Sequence, residues 1–175
     1  GTSAERVFSS RRRLHSMVGK IERVTGRLNH SQFWGSSLQR HPAYEAADVL
    51  HLNVVHTQWL GLPAIRKFCS EKPVVWTWHD LWPITGHCIQ PGECDRWGKG
   101  CGTCPDLRRP LNVHRDITDR EYSWKTKFVE SLDFQLHVST SWMARRVEQH
   151  VRLQRPAKVF PFGVRPDSLP IRDRD

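Results

Sequence analysis

No stretch of this 175-residue chain approaches the roughly 20 consecutive apolar residues that a bilayer-spanning helix needs, which excludes such a span within it. The N-terminus lacks a basic segment followed by an apolar stretch and a small-residue cleavage site, so no signal peptide is visible and a cytoplasmic chain is expected. Cysteine is scarce: there are 5, and Cys69 stands far from the other four, which argues against a secreted disulfide framework in a domain this large. No internal repeat or low-complexity tract is present, which sets aside solenoids and disordered arrays. Negative charge is in short supply, 18 Asp and Glu against 27 Lys and Arg, for a net charge of +9.

What is present suits one soluble globular domain, since 38% of residues are apolar and 26% charged in a mass of 20.4 kDa. The positive charge is uneven. Residues 1 to 40 carry Arg6, Arg11, Arg12, Arg13, Lys20, Arg23, Arg27 and Arg40 against Glu5 and Glu22. A basic end of this kind suits nucleic acid, an anionic membrane surface or a phosphorylated substrate, and equally a solvated helix face.

Leu14, Met17, Val18, Ile21, Val24 and Leu28 recur at three- and four-residue steps, which predicts an amphipathic helix from about residue 5 to 28 with its apolar stripe on the core. The run 48–53 reads as a buried strand and 62–68 as a helix. The β-branched and aromatic run Val74-Val75-Trp76-Thr77-Trp78 reads as a second strand, completing a β-α-β unit. After a loop to about residue 110, helices are expected over 117–131 and 140–152, the latter capped by Ser139 or Thr140, with short strands over 134–138 and 158–161. Alternating strands and helices predict an α/β fold, a Rossmann-like, mainly parallel sheet flanked by helices, with a cysteine-rich loop.

That loop holds Cys88, Cys94, Cys101 and Cys104 in the spacing C-x5-C-x6-C-x2-C, with Gly92, Gly98, Gly100 and Gly102 letting it fold back on itself. Four soft ligands in one loop suit a structural zinc site, although the x5 and x6 gaps match no standard finger. Disulfides and free thiols remain open, and an iron-sulfur cluster is a weaker choice. Immediately before the loop, His79-Asp80 follows the second predicted strand. In an open parallel sheet, ligands bind beyond the carboxyl ends of strands. A histidine there can donate to a substrate oxygen, and the adjacent carboxylate can orient it or take a proton, so both are candidate catalytic residues.

The segment Asp48-Val49-Leu50-His51-Leu52-Asn53 with His56, the segment Pro73 to Trp82 with Thr85-Gly86-His87-Cys88, and the cysteines with Trp97 and Pro105 resemble the N-terminal half of bacterial family 4 glycosyltransferases. The nearest subgroup is that of colanic-acid and related exopolysaccharide enzymes, which carry a similar cysteine loop. Val138-Ser139-Thr140-Ser141-Trp142-Met143 is similar to the family's Pro-Ser-x-Trp segment, and Val159 to Val164 to its Pro-Asn-Gly-Val hinge. The resemblance implies one half of a GT-B architecture, with residues 1–165 as an incomplete N-terminal domain and 166–175 as a hinge or linker tail. It implies retaining transfer of a sugar from a nucleotide-sugar donor to a glycan or lipid-linked acceptor. His79 would approach the donor sugar, and Asp80, Thr85 and Gly86 would shape the cleft, with His56, Trp82 and Ser139 as further substrate-binding candidates. The partner it implies is a C-terminal donor-binding domain, without which little activity is expected, and peripheral attachment at the inner membrane face is compatible with it.

A second reading from the residues alone is a zinc-stabilised, basic nucleic-acid-binding module, motivated by the cysteine spacing, a pI near 9.8 and 8 tryptophans available for stacking. Against it, most of those tryptophans fall in apolar strand and helix segments, where core packing accounts for them, so nucleic acid is disfavoured as a partner.

Overall fold

The computed structural model describes residues 12–31, 35–57 and 59–163. Arg6, Arg11 and Glu5 of the basic end, and the expected linker tail 166–175, lie outside the described residues. The elements in chain order are α1 (Arg12–Thr25), α2 (Gly35–Leu38), α3 (Pro42–Glu45), β1 (Leu50–Asn53), α4 (Leu62–Glu71), β2 (Val74–Trp78), α5 (Thr118–Glu130), β3 (Gln135–Val138), α6 (Ser141–His150) and β4 (Lys158–Val159). Single 3-10 turns at Trp82–Ile84 and Arg96–Lys99 interrupt the long connection between β2 and α5.

The four strands form one parallel sheet in the order β1-β2-β3-β4, with Leu52 opposite Trp76, Trp76 opposite Leu136, and Val138 opposite Val159. Each crossover carries a helix, as parallel pairing requires. The α/β, Rossmann-like expectation therefore holds. The core is aromatic at its centre. Trp76 and Trp78, two residues apart and so on one face of β2, meet edge to face at 5.5 Å, and Trp76 packs on Phe134 at 5.4 Å. Leu62, Ala64, Ile65 and Phe68 of α4 and Met143, Ala144 and Val147 of α6 complete it. Thr140 caps α6, its hydroxyl oxygen accepting from the Met143 amide at 3.2 Å.

Two sequence expectations are corrected. The run 48–53 is an edge strand in which only Leu52 is buried, not a buried one. The apolar stripe of α1 does not face the core: Leu14, Met17, Ile21 and Val24 are exposed, Val18 is half-buried, and Leu28 alone is buried, beyond the helix. The helix instead turns Glu22 inward, where its carboxylate accepts from the Asn29 amide at 2.9 Å and the Ser31 amide at 2.6 Å. Gly26, in the left-handed region at φ 81°, ends α1 and brings the chain against Ile117, leaving no room for a Cβ there.

Candidate active site at the carboxyl end of the sheet

The strand β2 delivers His79 and Asp80 to the carboxyl edge of the sheet, as the sequence predicts. The two side chains then diverge. His79 is exposed, and its Nε2 lies 3.0 Å from Asn53 Oδ1 at the end of neighbouring β1. Because Oδ1 only accepts, Nε2 carries the proton, and in the neutral ring Nδ1 is left as an acceptor. The ring stacks on Phe162, with centroids 5.0 Å apart and an interplanar angle of 21°.

Asp80 faces inward. One oxygen accepts from the Trp82 amide at 2.9 Å, closing the turn after the strand, and the other lies 3.4 Å from His56 Nε2. Burial lowers the pKa of His56, and this outweighs the opposing pull of Asp80. The imidazole is therefore neutral at pH 7. Asp80 orients the turn and His56, while Asn53 is the orienter of His79.

Behind the turn stands a residue that sequence reasoning missed. Lys125 of α5, 2% exposed, donates from Nζ to the Trp82 carbonyl at 2.7 Å and sits 4.2 Å from the centroid of the Trp82 ring. Burial pulls its pKa down to about 8, against Glu121, Cys101, Cys88 and Asp80, which favour the charge. The sequence signal was available: Glu121, Lys125, Phe128 and Val129 share one helical face, and all are buried. Glu121 is in turn met by His30 Nε2 at 2.9 Å.

Trp82 and Thr85 lie behind the wall of the site, 1% and 0% exposed. The Thr85 hydroxyl is spent on the Cys88 carbonyl at 2.5 Å. Gly86 is packed so closely that an added Cβ would fall 2.5 Å from Thr118 Cβ and 2.8 Å from its carbonyl oxygen. Ser139 is half-buried, one residue beyond β3 at the same edge of the sheet. The crevice lined by His56, Thr77, His79 and Asp80 holds about 10 Å³, room for one water, whereas a small-molecule site needs roughly 300 Å³ or more. This chain supplies a wall, not an enclosed pocket.

The cysteine loop is stitched to the start of α5. Gly86 N donates to Cys101 Sγ at 3.2 Å, Gly102 N to Thr118 Oγ1 at 3.1 Å, and Cys104 N to Asp116 Oδ2 at 2.6 Å. Cys88, Cys94, Cys101 and Cys104 line one small cavity of about 20 Å³ with His87, whose Nε2 is 3.4 Å from Cys104 Sγ. All four thiols are free. Among the described residues no group of three or more His, Cys, Asp or Glu is arranged to hold a metal, so the expected zinc site is not formed. Burial raises the thiols of Cys88, Cys104 and Cys101, the last to about 11. The loop is held by hydrogen bonds and neutral packing. The zinc-stabilised nucleic-acid reading loses its metal site with it, and Trp76, Trp78, Trp82 and Trp97 are buried in the core, although Trp124 and Trp142 are exposed.

Among the described residues no helix is long and apolar enough to cross a membrane. No protein-family model matches the chain, and no solved structure matches it. The chain is 40% identical over 76 positions to a protein of Escherichia coli (strain K12) described as the putative colanic acid biosynthesis glycosyl transferase WcaC, an alignment covering 38% of this chain. That alignment spans 19% of the relative's length, so over a short stretch this chain has a glycosyltransferase as its relative.

Proposed function

We propose that the chain is the acceptor-side part of a glycosyltransferase that moves a sugar from a nucleotide-sugar donor to a glycan or lipid-linked acceptor. The observation that carries this reading is the 40% identity to the colanic acid glycosyl transferase. The placement of His79 at the carboxyl end of β2, on an open wall, agrees with it. The donor half of the cleft belongs, on this reading, to a C-terminal domain of the GT-B type, and the enzyme works peripherally at the inner membrane face.

The chemistry needs positioning and charge stabilisation more than a strong nucleophile, as front-side transfer with retention would. His79, its Nε2 proton committed to Asn53, presents Nδ1 to a hydroxyl of the donor sugar or acceptor. Asp80, Trp82 and Lys125 fix the turn from which His79 projects. Thr85 and Gly86 set the shape of the wall through the loop they begin. The test is release of nucleoside diphosphate from a panel of nucleotide sugars by a protein joining this chain to a donor-binding C-terminal half. Release dependent on added acceptor supports the reading. Absence of release across the panel, with both halves folded, counts against it.

A further inference from the structure

Helix α1 turns Leu14, Met17, Ile21 and Val24 to solvent at 36%, 54%, 53% and 55% exposure. Steps of three, four and three place them on one narrow stripe. Single exposed apolar residues are ordinary, but a continuous stripe marks a contact surface. The stripe runs into a groove of about 350 Å³ lined by Ile21, Thr25, Arg27, Ser31, Arg115, Ile117 and Arg120. Three guanidinium groups therefore share a groove with no carboxylate in its lining. None of the three is in an ion pair among the described residues.

Two nearby acids are turned elsewhere, while the exposed Asp119 beside Arg120 is in no ion pair among the described residues. Glu22 of α1 is buried on the Asn29 and Ser31 amides, and Asp116, next to Arg115, is occupied by Cys104 N and Thr118. The face thus pairs hydrocarbon with uncompensated guanidinium, and Lys20 adds an exposed cation on the same helix.

We propose that this face docks on an anionic lipid bilayer, with Arg27, Arg115 and Arg120 holding headgroup phosphates and the α1 stripe entering the acyl boundary. Arginine forks match phosphate oxygens, and a helix with one apolar and one basic flank lies in the interface plane. The occupant is a membrane rather than a small anion because the groove alone would satisfy a phosphate, whereas the stripe needs apolar cover beside it. The surface stands on the chain's own geometry. Only its purpose, holding the carboxyl edge of the sheet near a lipid-linked acceptor, rests on the glycosyl-transfer reading.

The experiment is flotation of the 175-residue protein with vesicles of phosphatidylcholine alone and of phosphatidylcholine with phosphatidylglycerol in equal parts. Two variants, Met17→Ser/Ile21→Ser and Arg115→Gln/Arg120→Gln, are compared after their melting curves confirm folding. The protein is expected to float with the anionic vesicles only; Arg115→Gln/Arg120→Gln should lose roughly tenfold or more in partition, at about 1 kcal/mol per basic residue, and Met17→Ser/Ile21→Ser should lose a similar factor through the apolar area it removes. Equal flotation of wild type and variants, or none with anionic vesicles, overturns the proposal. Full competition by free glycerol phosphate overturns it in favour of a soluble phosphate site, and a dimer that Met17→Ser/Ile21→Ser dissociates overturns it in favour of a second copy. Flotation needs no transfer activity, so its outcome is independent of the enzymatic reading.

Discussion

Lys125 and Trp82 are joined twice, by a 2.7 Å hydrogen bond from Nζ to the backbone carbonyl and by a 4.2 Å approach of the ammonium to the indole. The amide of Trp82 is held by Asp80, so both polar ends of this residue are fixed by charged side chains beneath the wall that bears His79. A buried ammonium is costly, and its presence here ties α5 to the turn after β2.

Lysine 125 predicts a pH signature. Its pKa falls from 10.5 in the unfolded chain to about 8 in the fold. Between those values the unfolded state binds a proton that the folded state has released, so this group makes stability rise with pH. The stability difference between wild type and Lys125→Met should move in favour of wild type from pH 8 to 10.5, by roughly 3 kcal/mol at most. Urea melts at both ends of that window check it, and a difference independent of pH would contradict it.

Gly86→Ala forces a Cβ to within 2.5 Å of Thr118 Cβ. Overpacking of this kind costs about 1 to 3 kcal/mol, and here it falls on the junction of the cysteine loop and α5. The expected result is a lower urea midpoint with an unchanged slope. A midpoint equal to wild type would show that the junction yields freely.

The thiols should react slowly. Burial raises Cys101 from 9.0 to about 11, which at pH 8 cuts its thiolate fraction roughly a hundredfold relative to the unfolded chain. Cys88 and Cys104 shift in the same direction. Mass spectrometry after timed iodoacetamide treatment should find these three alkylated more slowly in the folded protein than in urea, and equal rates would refute the raised pKa of these half-buried thiols. The linkage has the opposite sign to that of Lys125: Cys101 contributes stability below pH 9 that is lost as pH rises toward 11.

Periodicity in the sequence revealed the elements better than their neighbours. The spans of β2, α5, β3 and α6 agree with the sequence reading within a residue or two; β2 carries a β-branched and aromatic run and α6 a Thr140 cap, whereas α5 has no side-chain cap and a buried face that is partly polar. The α1 stripe was visible, but a stripe says which face is apolar and not which face is covered. Burial of α1 is set by Glu22 reaching the Asn29 and Ser31 amides, seven and nine residues on. Glu121 and Lys125 share a helical face with Phe128 and Val129, a signal that the expected helix over 117–131 left unused, and packing against Trp82 shows that this face is the buried one. Likewise His79-Asp80 announced a strand-end site, while the division of partners, Asn53 to one and His56 to the other, depends on the β1–β2 pairing that brings distant segments together.

The central claim is that His79, set by Asn53, is the group on this wall that meets the transferring sugar. The most direct measurement is acceptor-dependent nucleoside diphosphate release by His79→Ala and Asn53→Ala proteins, each joined to the donor-binding half and compared with wild type. His79→Ala should lose at least a hundredfold in kcat, as removal of a positioned polar group does, and Asn53→Ala should lose less, because the imidazole remains but is no longer held. Unchanged turnover in His79→Ala would contradict the account.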